Sequence, residues 1–190
     1  MTASLQGSFL VAAIHLRDPN FFRSVVLILE HNSEGAMGLI VNRPSPMTIA
    51  GALSQYGPVE CGEAPVYVGG PVEPTSLYIL HNSVKLGQTD QEIAPGIFLT
   101  GSEDSFDQVV RAENEKKSET AIKFRLLSGY SGWGGGQLES ELDRGDWHTV
   151  PADGPLILEE DPYGIWEICT RRIHRANRVL PHDVRNPDWN

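Results

Sequence analysis

The sequence predicts an α+β fold with a largely antiparallel β-sheet, and three observations support that class. Many short segments are rich in apolar and β-branched residues, as strands are. Only a few segments carry the apolar spacing of an amphipathic helix. Strands and helices do not alternate in the regular rhythm of a parallel βαβ sheet.

The first part of the chain contains the clearest strands. Residues 7–14 are small and apolar, and after a turn at 17–20 the sequence SVVLILE at 24–30 is apolar almost without interruption. Such a run is typical of a strand buried on both faces. A returning strand over 36–42 follows the turn residues 32–35, so the two longer strands predict a hairpin.

Shorter elements are predicted further along the chain. The predicted strands are residues 65–68, 76–81 and 121–127, with a tight turn at 69–71 and a polar loop at 113–120. Capping residues and apolar faces predict three helices: one that opens at Ser102, one over 137–144 that Gly145 stops, and one that begins at Asp161 and Pro162.

Length and composition bound the class of protein. The 190 residues, 40% apolar and 21% charged, have the composition of one globular domain rather than of a disordered segment. No apolar run approaches the roughly 20 residues that span a bilayer, and residues 1–16 lack the features of a signal peptide. Cys61 and Cys169 stand far apart in no disulfide or metal motif. These features predict a cytoplasmic protein with reduced thiols and no membrane association.

Charge is unevenly spread along the chain. The formal net charge is −10, yet residues 171–190 hold five arginines against Asp183 and Asp188 and so carry +3. The rest of the chain carries −13, and such an acidic body repels nucleic acid and anionic membranes. We therefore divide the chain into a domain over residues 1–170 and a basic C-terminal helix end with an extended arm over 171–190. The arm is either a solvated surface or a contact for an acidic partner or for the chain's own acidic body.

Five sequence blocks resemble those of the YqgE/AlgH family and come in that family's order. They are GSFLVA (7–12), DPNFFRSVV (18–26), GAMGLIVNRP (35–44), YVGGPV (67–72) and GYSGWGGGQLESEL (129–142). The resemblance implies a bacterial protein whose α+β fold has coiled, partly barrel-like sheets and peripheral helices. The basic arm is not part of the family pattern, so the resemblance implies nothing about its role.

The resemblance implies a regulatory role without naming a reaction. Members of the family have no assigned biochemistry. Some carry a transcriptional-regulator name because of a genetic link to alginate production, and this name implies regulation rather than a DNA-binding surface.

Four polar residues converge if the predicted hairpin forms. The register set by its turn pairs Val25 with Asn42. The residues brought together are then Asp18, Arg23, Asn42 and Arg43. Such a cluster predicts a site for an anion or a polar ligand, with arginine as a bidentate clamp. The alternative is a structural cluster in which an Asp–Arg pair and an asparagine cap the turn backbone.

Trp133 and Gln137 are the other candidate ligand-binding residues. They lie in and after the glycine-rich stretch 129–136, where a strand, a glycine loop and a helix N-terminus could cradle phosphate. The spacing fits no P-loop, dinucleotide fingerprint or nucleophile elbow. The alternative is that the glycines let the backbone pass tightly around the Trp133 ring. Glu139 and Glu141 are predicted to point to different faces of the helix.

No residue pattern predicts catalysis, a metal site or a cofactor. The six histidines are scattered, without the local pairs that zinc sites show. His31 lies about 20 Å along the hairpin from Asn42 at the usual strand rise, and is predicted to be a hydrogen-bonded rim residue. Cys61 has Glu60 and Glu63 beside it, which disfavour a nucleophilic thiolate.

Three functions from different classes follow from these patterns. The preferred one is a regulatory module that binds a small ligand or a protein partner without catalysis. The others are a transcriptional regulator that contacts DNA through the basic arm, for which the body shows no helix-turn-helix or zinc-finger pattern, and an unrecognised hydrolase or transferase. The preferred function predicts that Arg43→Ala weakens binding while the melting temperature stays nearly unchanged.

Overall fold

The structure is a computed structural model that describes residues 4–54, 63–84, 91–100 and 122–176. The strands of the described residues are β1 (Ser8–Ala12), β2 (Val25–Asn32), β3 (Gly35–Ile40), β4 (Pro44–Thr48), β5 (Pro65–Val68), β6 (Val72–His81), β7 (Gln91–Ala94), β8 (Ile97–Thr100), β9 (Phe124–Gly134) and β10 (Trp147–Pro151). The helices are α1 (Ile49–Ala52), α2 (Gln137–Asp143), α3 (Gly154–Leu158) and α4 (Pro162–Ala176).

The strands form one curled sheet with the shape of a half-barrel. The strand order is β10-β1-β2-β3-β9-β6-β8-β7, and β5 joins β9 while β4 pairs with β5. The pairing of β5 with β9 is parallel, and the other pairs are antiparallel. The predicted α+β class with a largely antiparallel, partly barrel-like sheet is therefore confirmed.

The β2–β3 hairpin forms as predicted, but its register shifts toward the open end. A bulge between Ile28 and Glu30 moves the pairing by one residue. Val25 therefore accepts a backbone hydrogen bond from Val41, and the predicted pairing of Val25 with Asn42 is wrong. A bulge adds one residue to one strand, and a run of uniformly apolar residues gives no alternation from which to detect it.

The glycine-rich stretch is the end of a long central strand rather than a loop. β9 continues to Gly134 and pairs with β3, β5 and β6. A Cβ on Gly70 would lie 2.1 Å from the carbonyl carbon of Tyr130, and one on Gly129 would lie 2.5 Å from the oxygen of Gly70. The blocks YVGGPV and GYSGWGGG thus pack backbone against backbone, which only glycine allows.

Apolar side chains fill both faces of the sheet. Alternate residues of β1, β2 and β3 face a main core that α3 and α4 cover, and it includes Leu27, Leu156 and Ile165. The intervening residues face a smaller core on the other side, which α2 covers with Leu138. This two-sided burial explains the uninterrupted apolar sequence of β2.

Helices α2 and α4 confirm their predictions, whereas α1, α3, β4, β7, β8 and β10 were missed. The missed elements have four or five residues each, which is too few for a recognisable period. The predicted helix at Ser102, the loop at 113–120 and Cys61 lie outside the described residues. The predicted domain boundary at 170 falls within α4 and stays a prediction. No helix in the described ranges is long and apolar enough to cross a membrane.

Candidate functional site

The open end of the β2–β3 hairpin borders a pocket of about 370 Å³, which we call the strand-end pocket. Its lining residues are Phe22, Arg23, Asn42, Arg43, Pro44, Tyr163, Trp166 and Glu167. Three of the predicted site residues are therefore brought together, and the remaining wall comes from α4. The predicted meeting of polar groups at this end of the hairpin occurs despite the shifted register.

Asn42 fixes the backbone on which the pocket is built. Its side-chain oxygen accepts a hydrogen bond from the N–H of Val25 at 2.8 Å, and its side-chain nitrogen donates to the carbonyl of Arg23 at 2.9 Å. The amide side chain thus takes the place of a backbone partner beyond the end of β3. The approach of Arg23 to Asn42 and Arg43 therefore depends on this side chain rather than on strand pairing.

Arg23 adopts a backbone conformation that favours glycine. Its φ of 51° lies in the left-handed region, which costs a non-glycine residue about 1 kcal/mol. Its guanidinium carbon lies 5.4 Å from the ring centre of Phe22 and 5.2 Å from that of Trp166, within cation–π range. The guanidinium makes no hydrogen bond or ion pair with any residue the structure describes. Its N–H groups therefore remain available to a ligand.

Arg43, in contrast, is engaged by the turn that precedes β2. It donates to the carbonyls of Pro19 at 3.5 Å, Phe22 at 3.2 Å and also Asn20. Burial lowers the pKa of Arg43, and the charge of Asp18 opposes that shift. Asp18 does not line the pocket, and its carboxylate accepts a hydrogen bond from the N–H of Asn20 at 2.7 Å. Asp18 and Arg43 therefore hold the turn in place.

The wall supplied by α4 was not predicted from the sequence. The indole N–H of Trp166 donates to the carbonyl of Ala12 at 2.8 Å, which fixes the ring in the pocket. Tyr163 is 76% exposed and Phe22 is 50% exposed, so aromatic rings reach solvent at the pocket. The predicted apolar face of α4 did not include Trp166; the available signal was its position three residues before Cys169, which places the two side chains about one helical turn apart.

Trp133 and Gln137 lie outside the strand-end pocket, in what we call the tryptophan cluster of Phe21, Trp133, Gln137, Glu141 and Trp147. Glu141 Oε2 accepts hydrogen bonds from the indole N–H of Trp133 at 2.9 Å and of Trp147 at 2.8 Å. Its Oε1 accepts from Gln137 Nε2 at 3.0 Å. The ring of Phe21 lies 5.9 Å from Trp133 and 5.4 Å from Trp147, centre to centre. The polar groups of this cluster therefore satisfy one another.

His31 and Glu139 bind each other, and the buried thiol of Cys169 is inert. His31 Nδ1 accepts from the N–H of Leu5 at 3.1 Å, so Nε2 carries the hydrogen and donates to Glu139 at 3.0 Å. Glu139 and Glu141 thus have different partners, as predicted. Burial raises the pKa of Cys169 to about 11, which keeps its thiol neutral. The described residues contain no group of three His, Cys, Asp or Glu side chains that could hold a metal ion.

Sequence comparisons relate the chain to one family over most of its length. The sequence profile of the AlgH-like family matches residues 9–177. A UPF0301 protein of Thioalkalivibrio sulfidiphilus is 35% identical over 178 residues, which cover 91% of this chain and 92% of that protein. A UPF0301 protein of Hahella chejuensis is 39% identical over 157 residues, 82% of each chain.

Solved structures with the same fold are also similar. The solution structure of the AlgH protein from Pseudomonas aeruginosa matches with a TM-score of 0.72 and 31% identity, covering 96% of this chain and 98% of that one. A crystal structure of a Corynebacterium diphtheriae protein matches with a TM-score of 0.70 over 90% of this chain and 88% of that one. Its identity of 24% supports a common fold alone.

Proposed function

This chain belongs to the AlgH-like family, and from that premise we propose that it is a regulatory binding module without catalysis. The strand-end pocket holds the acidic group of a small ligand or of a partner protein. The observation that carries this proposal is the Arg23 guanidinium, which lines the pocket without a hydrogen-bond partner in the part of the chain that the structure describes.

Arg23 is well placed to bind an acid. A guanidinium presents parallel N–H groups that match the two oxygens of a carboxylate. The guanidinium carbon lies over the rings of Phe22 and Trp166, and these contacts use none of its N–H groups as hydrogen-bond donors. The left-handed backbone of Arg23 is a local cost that the Asn42 hydrogen bonds enforce, and such costs concentrate at binding sites.

The charges at the pocket favour a singly charged acid. Arg23 and Arg43 contribute two positive charges, whereas Glu167 lines the same pocket and Asp18 acts on Arg43. A ligand with two negative charges would meet repulsion from these carboxylates. We therefore expect a carboxylate to bind better than a phosphate dianion.

The lining chemistry supports binding rather than reaction. Among the described residues, the lining contains no histidine, cysteine, serine or threonine, and its possible bases, Glu167 and Tyr163, have no side-chain hydrogen-bond partner that would activate them. Direct DNA contact would need the basic arm, and residues 177–190 of that arm lie outside the described ranges. Binding at the strand-end pocket thus has the most specific support.

The proposal is tested with three small aromatic probes of similar size: benzoate, benzylamine and phenyl phosphate. Amide chemical-shift mapping should place benzoate at Arg23 and Asn42, with weaker binding of phenyl phosphate and none of benzylamine. Arg23→Gln should raise the Kd for benzoate about tenfold, since it removes a charge-assisted bidentate contact. Arg175→Gln, which changes an exposed arginine in the last turn of α4, is the matched control and should leave the Kd unchanged.

Two outcomes would contradict the proposal. One is equal benzoate binding by wild-type protein and Arg23→Gln, and the other is benzoate binding that maps outside the strand-end pocket. Native mass spectrometry of the protein purified from its own host then identifies the physiological occupant. We expect bound mass on the wild-type protein that is lost in Arg23→Gln.

A further inference from the structure

A second hollow continues the strand-end pocket along the start of α4. It has a volume of about 550 Å³, and it shares Pro44 and Tyr163 with the strand-end pocket. The added lining comes from β4, β5 and the residues around the start of α4, and includes Pro46, Pro65 and Tyr67. We call the two hollows together the groove. With volumes of about 370 Å³ and 550 Å³, the two hollows offer more room than a single small acid on Arg23 would occupy.

The groove has an apolar, aromatic surface that is open to solvent. Of the five large hydrophobic side chains that are exposed in the described residues, Phe22 and Tyr163 line the groove, and Met47 follows the lining residue Pro46. Their exposed fractions are 50%, 76% and 53%. Exposed apolar side chains clustered beside an arginine are typical of a protein-interaction surface.

Two hydroxyl donors of the groove are unused, and they lie in hollows that the carboxylates of Glu167 and Asp161 also line. The hydroxyls of Tyr67 and Tyr163 make no hydrogen bond with any residue in the described ranges. The Tyr163 hydroxyl in the strand-end pocket with Arg23, and the Tyr67 hydroxyl in the adjoining hollow, would suit an occupant with carbonyl oxygens and one carboxylate. An extended peptide has this chemistry along its whole length.

The strand at the groove excludes one common mode of peptide binding. Within the described residues β4 pairs only with β5, so its other edge is open. Pro44 and Pro46 have no backbone N–H, and an incoming strand would find few donors there. A polyproline II segment needs no such ladder, because it docks through its side chains and carbonyls on aromatic grooves.

The walls of the groove are fixed by a buried cation. Arg125 is 6% exposed, and its guanidinium lies 4.4 Å from the ring centre of Tyr67. It donates to the carbonyl of Val41, at the end of β3, and to that of Glu160 at 3.0 Å, just before α4. The two sides of the groove are thus tied together before any partner binds, which reduces the entropy lost on binding.

We propose that the groove docks an extended, proline-containing segment of a partner protein whose carboxylate is held by Arg23. Its prolines and apolar side chains lie over Phe22 and Tyr163, and the hydroxyls of Tyr163 and Tyr67 donate to its carbonyls. This inference rests on the proposed function, since it takes the acid-binding role of Arg23 as given and names the molecule that carries the acid.

The test is selection of a phage-displayed library of random peptides on the immobilised full-length protein. We expect the enriched peptides to contain proline or aromatic residues beside an aspartate or glutamate. The most enriched peptide is then synthesised with a fluorescent label, and its Kd is measured by anisotropy. Tyr163→Ala and Arg23→Gln should each raise this Kd at least about tenfold, as substitutions of central interface residues do. Ile14→Ala, which shortens an exposed side chain outside the groove, should leave it unchanged.

The outcomes separate this inference from the proposed function. Suppose that benzoate binding depends on Arg23, but no peptide is selected more strongly on the wild-type protein than on Tyr163→Ala. The peptide inference is then wrong, and the acid-binding pocket stands. If enriched peptides bind through Tyr163 but are indifferent to Arg23→Gln, the carboxylate contact in this inference is wrong, and the benzoate measurement decides the acid-binding role of Arg23 separately. Analytical ultracentrifugation tests whether a second copy of this chain occupies the groove instead. A wild-type dimer that dissociates in Tyr163→Ala would overturn the inference.

Discussion

The strand-end pocket and the tryptophan cluster each include residues of the turn before β2, yet the two regions differ in chemistry. Phe21 packs on Trp133 and Trp147, whereas Phe22 and Arg23 line the pocket. In the cluster, Glu141 accepts three hydrogen bonds from side chains around it. In the pocket, the guanidinium of Arg23 donates none to the described residues.

This difference separates a structural cluster from a candidate binding site. Both regions gather polar and aromatic side chains, and both were predicted to bind a ligand. What distinguishes them is whether the hydrogen-bonding groups are already satisfied, because a satisfied group gains little from a ligand and an unsatisfied one gains a partner. If the distinction holds, substitutions in the cluster change stability alone, and Arg23→Gln, which removes the charge but keeps a long side chain, changes binding alone.

The largest expected effect is on stability, from Glu141→Ala. The substitution leaves the indole N–H groups of Trp133 and Trp147 without their acceptor, and these rings are 5% and 3% exposed. Each unsatisfied donor costs about 1–3 kcal/mol, so we expect a loss of about 3 kcal/mol in the free energy of unfolding. Urea unfolding measures this loss, and benzoate binding at the strand-end pocket should be unchanged.

Glu141→Gln is the matched control for that loss. It retains one oxygen that can accept both indole N–H groups, so it should cost clearly less than Glu141→Ala. Equal losses for the two variants would mean that packing rather than hydrogen bonding makes Glu141 important. A parallel loss of benzoate binding would remove the distinction between the two regions.

The next effect concerns Arg43, for which the structure reverses an expectation from the sequence. The three carbonyl hydrogen bonds of Arg43 hold the turn that carries both Phe21 and Arg23. We now expect Arg43→Ala to lower the free energy of unfolding by about 2 kcal/mol, since hydrogen bonds to a charged group are lost. Thermal unfolding of Arg43→Ala and of the conservative Arg43→Lys measures it. An unchanged melting temperature for Arg43→Ala would contradict this structural role and would support the original prediction that Arg43 binds a ligand.

A smaller effect isolates the strained backbone of Arg23. Arg23→Gly and Arg23→Ala remove the same guanidinium and its ring contacts, and they differ in the cost of a φ of 51°. Glycine adopts this conformation freely, so Arg23→Gly should be about 1 kcal/mol more stable than Arg23→Ala. Both variants should lose benzoate binding. Equal stabilities, measured by urea unfolding, would mean that the turn relaxes and that no strain is stored at this position.

The fold class and the hairpin followed from the sequence because they depend on local patterns. Apolar, β-branched segments without a βαβ rhythm gave the class, and turn residues at 32–35 gave the hairpin. The bulge after Ile28 was beyond prediction, because β2 is apolar on both faces as far as Leu29 and shows no alternation that an extra residue would interrupt. The glycines of β9 were misassigned as a loop, because glycine marks a tight turn and a close backbone approach alike.

The site was predicted only in part, for a different reason. Arg23, Asn42 and Arg43 are joined by one hairpin, so a register argument could bring them together. Trp166 reaches the same pocket from a helix far along the chain, and no local pattern reports that contact. Nor can a sequence indicate which arginine already donates hydrogen bonds within the protein. Only the structure shows that the turn carbonyls accept from Arg43 and not from Arg23.

The smallest expected effect tests the other carboxylate of α2. Hydrogen bonds from its own backbone N–H and then from His31 lower the pKa of Glu139 below its ordinary value of 4.5. A lowered pKa in the folded state gives stability that is present above pH 4.5 and is lost as the pH falls through the folded-state value. Glu139→Gln should therefore be less stable than wild type near neutral pH, and the difference should shrink below pH 4.5. Urea unfolding across this range measures it, with Glu34→Gln, at an exposed position beside the hairpin turn, as the control. A difference that does not change with pH would mean that the contact with His31 acts through geometry rather than charge.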